Sequence, residues 1–269
     1  MSVLGRSPDE DDAAPAASRP ATGLVARTDG STANVLWQIA EEVPVALMFN
    51  SQAFAVMMAT PADLEDFGVG FALAERIVPD TGAIAGVIAM PVDNGFCIDI
   101  ALRDGVQPRA TRRAIEGRSG CGLCGVEDIS EVLRPVRQVT RDFDLAEPAV
   151  RRAFDALPAH QPMNRLNHSV HAAAWCNTEG HVVLAREDVG RHNALDKLIG
   201  ALARQNIDPA SGFVAMTSRC SFELVQKAAA AGIPYLATIS APTALALKLA
   251  GDANIGLAVA SREGIVFFG

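Results

Sequence analysis

No run in this 269-residue chain is long and apolar enough to span a bilayer. Its first two dozen residues cannot act as a secretory signal, because Asp9, Glu10, Asp11 and Asp12 stand where an apolar core would be needed. These two absences give the expectation of a cytoplasmic protein with no membrane role. Cysteine is scarce, and the five present are an odd number without an export signal, which excludes a disulfide framework. There is no surplus of basic charge. The formal net charge of −8 argues against broad nucleic-acid binding, though it leaves room for a local basic site. No Walker motif is present, so simple use of ATP is unsupported. No internal repeat is visible.

What is present is a chain with 49% hydrophobic residues, enough for one large core or two modest ones. Residues 1–28 read as a disordered tail, since residues 2–22 are rich in Asp, Ala, Pro and Ser and lack aromatics. Residues 29–140 read as a smaller α+β part. Its strands are expected at 42–50 and 53–58, followed by a helix from Thr60-Pro61-Ala62-Asp63 to about residue 77, with Thr60 as N-cap. A hairpin over 87–92 and 96–102 turns at Asp93-Asn94-Gly95. Arg103, Arg109, Arg112, Arg113 and Arg118 then lead into a glycine-rich stretch, read as a mobile basic segment. Residues 141–269 read as an α/β domain. It has a helix at 147–157, a hairpin at 170–176 and 181–185, and a helix at 191–204. A strand–helix alternation follows: strands at 213–217, 235–239 and 255–260, helices at 221–231 and 242–250, and a last strand at 265–268. Such spacing implies parallel strands with right-handed crossovers, hence a mixed sheet flanked by helices.

In an open α/β sheet, ligands collect at the carboxyl ends of the strands. The segments leaving those ends hold Asp188, Arg191, His192 and Asn193, then Ser218, Arg219 and Ser221, then Ser240 and Thr243, then Ser261, Arg262 and Glu263. Singly, each has an ordinary reading as a helix start or a solvated side chain. Together, arginines and hydroxyls at helix N-termini suit a phosphate-bearing small molecule, such as a nucleotide.

Cys97, Cys176 and Cys220 stand alone in or beside apolar runs and read as small buried hydrophobes. Cys121-Gly122-Leu123-Cys124 is different, because the two thiols come as a pair among glycines. The pair is open to three chemistries. It could be half of a zinc site completed by His168 and His171, although the spacing fits no common finger. It could be a dithiol–disulfide switch, although no strand precedes it. Or it could carry sulfur as a persulfide, which needs a thiolate, helped here by neighbouring arginines, and a second thiol close by.

Five blocks of the chain resemble the FdhD family. They are residues 119–125 (Ser-Gly-Cys-Gly-Leu-Cys-Gly), 187–197 (Glu-Asp-Val-Gly-Arg-His-Asn-Ala-Leu-Asp-Lys), 218–227, 240–243, and an N-terminal block at 56–67 with Gly70 and Phe71. The likeness runs over about residues 42–262. It departs at Ala258-Val259, where the family has Gly-Phe, and at Ser169-Val170, where it has Gly-Gly. It also departs at Ala74-Glu75-Arg76, where the family has Ser-Glu-Gly.

The resemblance implies a cytidine-deaminase-like fold without the deaminase zinc, a homodimer, and a sulfurtransferase needed by formate dehydrogenase. Sulfur would pass from a cysteine desulfurase to a molybdenum bis(guanine dinucleotide) cofactor, bound as acceptor and not permanently attached. Cys121 would be the persulfide carrier and Cys124 its assistant. Ala258, Val259, Ala260, Ser261, Arg262 and Glu263 would form the cofactor-binding stretch, with His171 added to the strand-end residues. Apo formate dehydrogenase is the implied client, and no resident metal is expected. The rival expectation is a zinc- or nucleotide-binding chaperone that moves no sulfur.

Overall fold

A computed structural model of the chain describes residues 16–109 and 135–269. In chain order the elements are β1 (Ser18–Ala26), β2 (Thr32–Ala40), β3 (Val43–Phe49), β4 (Gln52–Ala59), α1 (Leu64–Ala74), β5 (Ile84–Val92) and β6 (Gly95–Leu102). After the undescribed residues come α2 (Glu147–Ala156), α3 (Pro162–Asn167), β7 (His171–Asn177), β8 (Val182–Asp188), α4 (Arg191–Arg204), β9 (Gly212–Arg219), α5 (Phe222–Ala231), β10 (Tyr235–Ser240), α6 (Ala244–Ala253), β11 (Gly256–Ser261) and β12 (Gly264–Phe268).

The larger sheet has the order β12-β11-β10-β9-β7-β8. Strands β9, β10 and β11 are parallel, as the strand–helix alternation implies, while β12 and the β7–β8 hairpin add antiparallel edges. Strand residues alternate between two cores because successive side chains point to opposite faces. Ala173, Trp175, Val214, Met216, Leu236 and Leu257 pack under α4, α5 and α6. Ala172, Ala174, Phe213, Ala215, Ala237 and Ala258 pack under α2 through Ala149, Val150 and Ala153. The sheet is therefore covered on both faces, the arrangement that parallel strands require.

The smaller sheet, β4-β3-β6-β5, carries a third core in which Val45, Leu47, Phe49, Ile98 and Ile100 meet Phe67 and Phe71 of α1. Helix α1 has the smaller sheet on one side and α4 on the other. The two helices touch at glycines. A Cβ on Gly70 would fall 1.7 Å from the Asp196 carbonyl oxygen, and one on Gly200 would fall 1.8 Å from that of Asp66. Ion pairs reinforce the junction: Lys227 Nζ lies 2.8 Å from Asp196 and 2.9 Å from Glu75, and Arg186 lies 2.7 Å from Asp66.

Three expectations change. Residues 18–28 are not tail, because Ser18–Ala26 pairs with Thr32–Ala40 as an antiparallel ribbon. Asn167 Nδ2 donates to Ser18 Oγ at 2.9 Å, fixing the base of that ribbon against α3. Thr60 does not cap α1. Its N–H donates to Asp188, its Oγ1 accepts from the Val189 N–H, and its carbonyl accepts from Lys197. With its polar groups engaged there, the helix starts later, after Asp63. The far end stops at Ala74 rather than 77, and Arg76 leaves with φ of 57°.

Candidate functional site

Strand direction collects the expected residues on one edge. Strand β8 runs parallel to β9, β10 and β11, so their carboxyl ends lie together with the start of β7. Ser240 pairs with Arg219, and His171 with Asp188. Across the sheet this edge reads Ser261, Ser240, Arg219, His171, Asp188, a span of about 19 Å at the usual interstrand spacing. Helices α4, α5 and α6 each start from it, so three positive helix ends face the same side. Thr243 Oγ1 accepts from the Ala246 N–H at 3.2 Å, and the Thr243 N–H donates to the Cys220 carbonyl at 3.1 Å, which ties two of the helix-start loops together.

Residues 186–197 divide into framework and edge. Glu187 reaches back to accept from the Met163 and Asn164 N–H groups, both at 2.9 Å, capping α3. Burial pushes its carboxyl up, partly opposed by those two bonds. Asp188 is fully buried. It meets Lys197 Nζ at 2.6 Å and accepts from the N–H groups of Thr60 and Gly190 and from Asn193 Nδ2. Asn193 Nδ2 also donates to the Met58 carbonyl. Asp188 and Asn193 thus position the edge, with the Asp188 carboxylate and the Asn193 Nδ2 engaged within the protein. Arg191 and His192 are the half-buried residues of the block that open α4 at the edge.

His192 Nε2 lies 3.6 Å from Glu223 Oε2, an ion-pair distance too long for a hydrogen bond. Burial holds the His192 imidazole below its ordinary value, opposed by Glu223 and assisted by the charge of Arg191. His171 is also held low, first by burial and then by Arg191. At neutral pH both rings are uncharged, and the fixed positive charge at this end of the edge comes from Arg191.

At the other end, a cavity of about 260 Å³ lies between the β11–β12 turn and α2. The turn supplies residues 260–265, including Ser261, Arg262 and Glu263, and α2 supplies Arg151, Phe154 and Asp155. Ser261 Oγ donates to the Gly264 carbonyl at 2.8 Å and accepts from the Glu263 N–H, which shapes the turn. Arg151 is held in an ion pair with Glu147, one helical turn away. Ala258 and Val259 are buried, so their side chains are not open at the edge.

The expected residues therefore sort by exposure. Arg191, Arg219, Ser240, Thr243, Ser261, Arg262 and Glu263 are open or half-open on the edge, and Ser218 is buried with its hydroxyl on the Arg219 carbonyl. Ser221 precedes α5 and is half-buried. Cys121 and Cys124 lie outside the described residues, as do Arg112, Arg113 and Arg118. Sequence reasoning missed Arg151, Phe154 and Asp155. Their spacing of three and four residues puts them on one helix face, and asking what covers the second face of a parallel sheet would have found them. The remaining cysteines fit the bland reading. Cys97, Cys176 and Cys220 are buried, and burial pushes the thiols of Cys176 and Cys220 up to about 12. His168 caps the end of α3 with its ring 6.2 Å from that of Trp37, while His171 begins β7. Among the described residues, no three His, Cys, Asp or Glu side chains are grouped as metal ligands would be, and no helix is long and apolar enough to cross a membrane.

Comparison with known proteins agrees with this architecture. A model of the FdhD/NarQ family matches residues 40–266. A sulfur carrier protein FdhD from Bordetella petrii is 47% identical over 249 residues, covering 91% of this chain and 90% of that protein. The sulfur carrier protein FdhD of Bordetella bronchiseptica is 50% identical over 221 residues, covering 81% of this chain and 80% of its own. Among solved structures, a protein from Desulfotalea psychrophila described as a formate dehydrogenase accessory protein superposes with a TM-score of 0.75. It is 24% identical, with 94% of this chain and 96% of that one covered.

Proposed function

Because the chain belongs to the FdhD/NarQ family, we propose that it is a sulfur carrier accessory to formate dehydrogenase, working in the cytoplasm as a homodimer. A thiolate at Cys121 attacks the outer sulfur of a cysteine desulfurase persulfide, the old S–S bond breaks, and the desulfurase thiolate leaves. Cys121 then carries the extra sulfur and Cys124 assists its release. The acceptor is a molybdenum bis(guanine dinucleotide) cofactor bound for the transfer, and the client is apo formate dehydrogenase.

The observation that carries this reading is the carboxyl edge of the larger sheet. It spans about 19 Å, long enough for an extended nucleotide, and it has Arg191 and Arg219 at helix starts and the Arg151–Arg262 cavity at its end. Diphosphate groups bind such helix ends and guanidinium forks. Phe154 offers the cavity an apolar wall. Cys176 and Cys220 are deeply buried and burial also raises the Cys97 thiol, so all three are poor nucleophiles, which leaves Cys121 and Cys124 for the chemistry.

The test is sulfur loading followed by activation. Incubation with a cysteine desulfurase and cysteine should add one sulfur mass at Cys121 or Cys124, and Cys121→Ala should fail to activate apo-dehydrogenase. Full activation by Cys121→Ala would replace sulfur transfer with a chaperone that merely holds the cofactor or the client.

A further inference from the structure

The helix starts on the carboxyl edge are not held alike. Thr243 caps α6 with its own side chain, its Oγ1 accepting from the Ala246 N–H. Helix α4 carries Arg191 and His192 in its first turn, and its N-cap is Gly190, which has no side chain with which to cap it. Left loose, such a turn would have to be ordered by the ligand on each binding event, which weakens affinity.

The missing hold comes from the other sheet. Thr60 follows the last residue of β4 and is fully buried, and its polar groups all reach residues 188–197. Its N–H donates to Asp188 Oδ2 at 3.0 Å, its Oγ1 accepts from the Val189 N–H at 3.1 Å, and its carbonyl accepts from Lys197 Nζ at 3.0 Å. Two residues earlier, the Met58 carbonyl accepts from Asn193 Nδ2 at 2.8 Å. The end of β4 therefore grips both the turn before α4 and the first two turns of the helix. Thr60 is itself stiff, because Pro61 keeps it from the helical region and branching at Cβ restricts its χ1.

We propose that Thr60 is a positioning residue for nucleotide binding: its hydroxyl oxygen fixes the Val189–Gly190 turn and through it the first turn of α4, with Arg191. The inference rests on the reading of this edge as a nucleotide site and adds to it a residue from the smaller sheet. Two observations separate this role from a plain staple between the sheets. The parts are already joined by the Thr60 backbone bonds to Asp188 and Lys197 and by the ion pairs of Lys227 and Arg186, so the hydroxyl is not needed to keep them together. What the hydroxyl holds is the N–H two residues before Arg191. Arg191 is also where a loosened turn would tell, because its charge acts on both His171 and His192 and so lies among the side chains of the edge.

Calorimetric titration of the full chain with guanosine diphosphate as the probe tests the proposal. Thr60→Val keeps the shape and both backbone bonds and removes the acceptor for the Val189 N–H. The share of chains with the turn in place falls, and apparent affinity should fall with it by about five- to tenfold. Thr60→Ser keeps the hydroxyl and should return affinity to within about twofold of wild type. Ser51→Ala removes a hydroxyl bonded to Asp99 inside the smaller sheet and should leave affinity unchanged. A double-mutant cycle separates positioning from stability. On an Arg191→Ala background Thr60→Val should add less than about twofold, whereas on Arg262→Ala its full effect should remain. Circular dichroism and the urea midpoint establish that each variant is folded. Should Thr60→Val not fold, Asn193→Ala, which removes the tie to Met58, carries the same test with the same coupling expected. Wild-type affinity in the variant that carries the test, or equal losses on the two backgrounds, would overturn the positioning role and leave the nucleotide site standing. A wild type that binds no guanosine diphosphate would remove the nucleotide site and the positioning role together.

Discussion

Replacing Gly70 by alanine should destabilise the protein, although helix propensity alone points the other way. Alanine is favoured over glycine within a helix by about 1 kcal/mol, and Gly70 lies inside Leu64–Ala74. Geometry opposes this. The new Cβ would sit 1.7 Å from the Asp196 carbonyl oxygen and 2.8 Å from the Gly200 nitrogen, both backbone atoms of α4. To reach van der Waals distance the helices must part by about 1.5 Å, and a gap of that order forfeits half or more of each contact's dispersion energy. The loss falls on a junction shared by the two cores that α1 and α4 serve and stretches the Lys227 pairs with Glu75 and Asp196. Overpacking of this kind costs about 1–3 kcal/mol and sometimes more; with two backbone atoms in the way the upper end applies, so a net loss of about 2 kcal/mol is expected after the propensity gain. For a chain of this size that corresponds to a fall in Tm of about 4–8 °C. Calorimetry on wild type, Gly70→Ala and a control Gly251→Ala would measure it. Gly251 lies in α6, and a Cβ there would have nothing within 4 Å, so propensity should win and Tm should rise slightly. An unchanged or higher Tm for Gly70→Ala would refute the close-crossing argument.

Lys197→Met should cost about 3–5 kcal/mol in urea unfolding, because it strands the buried Asp188 carboxylate without its cation; a loss under about 1 kcal/mol would count against the hub. Stability should fall as pH drops below the ordinary histidine value of 6.5, since burial holds His171 and His192 low and the unfolded chain takes up protons first. Urea midpoints at about pH 7.5 and 5.5 should show this slope, and His192→Gln should flatten it. Arg262→Ala and Arg151→Ala should each weaken binding of guanosine diphosphate by about tenfold in calorimetric titration, while Arg165→Ala, away from the cavity, should leave it unchanged.

Much of the fold could be read from local signals. Residues 212–261 alternate short apolar strands with helices of ordinary length, and the structure reproduces that alternation as parallel strands. Strand direction alone then brings Arg191, Arg219, Ser240 and Arg262 to one edge. Distant pairing is what local pattern does not carry. Thr60 looks like a helix cap because Pro61 and Asp63 follow it, yet its partners are Asp188, Val189 and Lys197. Glu187 gives no local sign of its role, because the Met163 and Asn164 N–H groups it accepts from lie more than twenty residues earlier in the chain. Ser18–Ala26 has the composition of a disordered tail and becomes a strand only by pairing with Thr32–Ala40. Arg151 and Phe154 give no local signal of a site, because their neighbours across the cavity come more than a hundred residues later in the chain.

The bond from the Thr60 N–H to Asp188 spans 128 residues, and it sets an order of events during synthesis. Strands β3 to β6 and α1 are contiguous and emerge from the ribosome first, with a core of their own. The carboxyl edge of the larger sheet is not finished at that stage, nor when β8 appears, because Asp188 needs both Thr60 from the earlier part and Lys197 from the helix still to come. The edge therefore takes its final form late, after the two parts have docked. A truncated or stalled chain would hold the early core without the edge, and so would lack the nucleotide site proposed there.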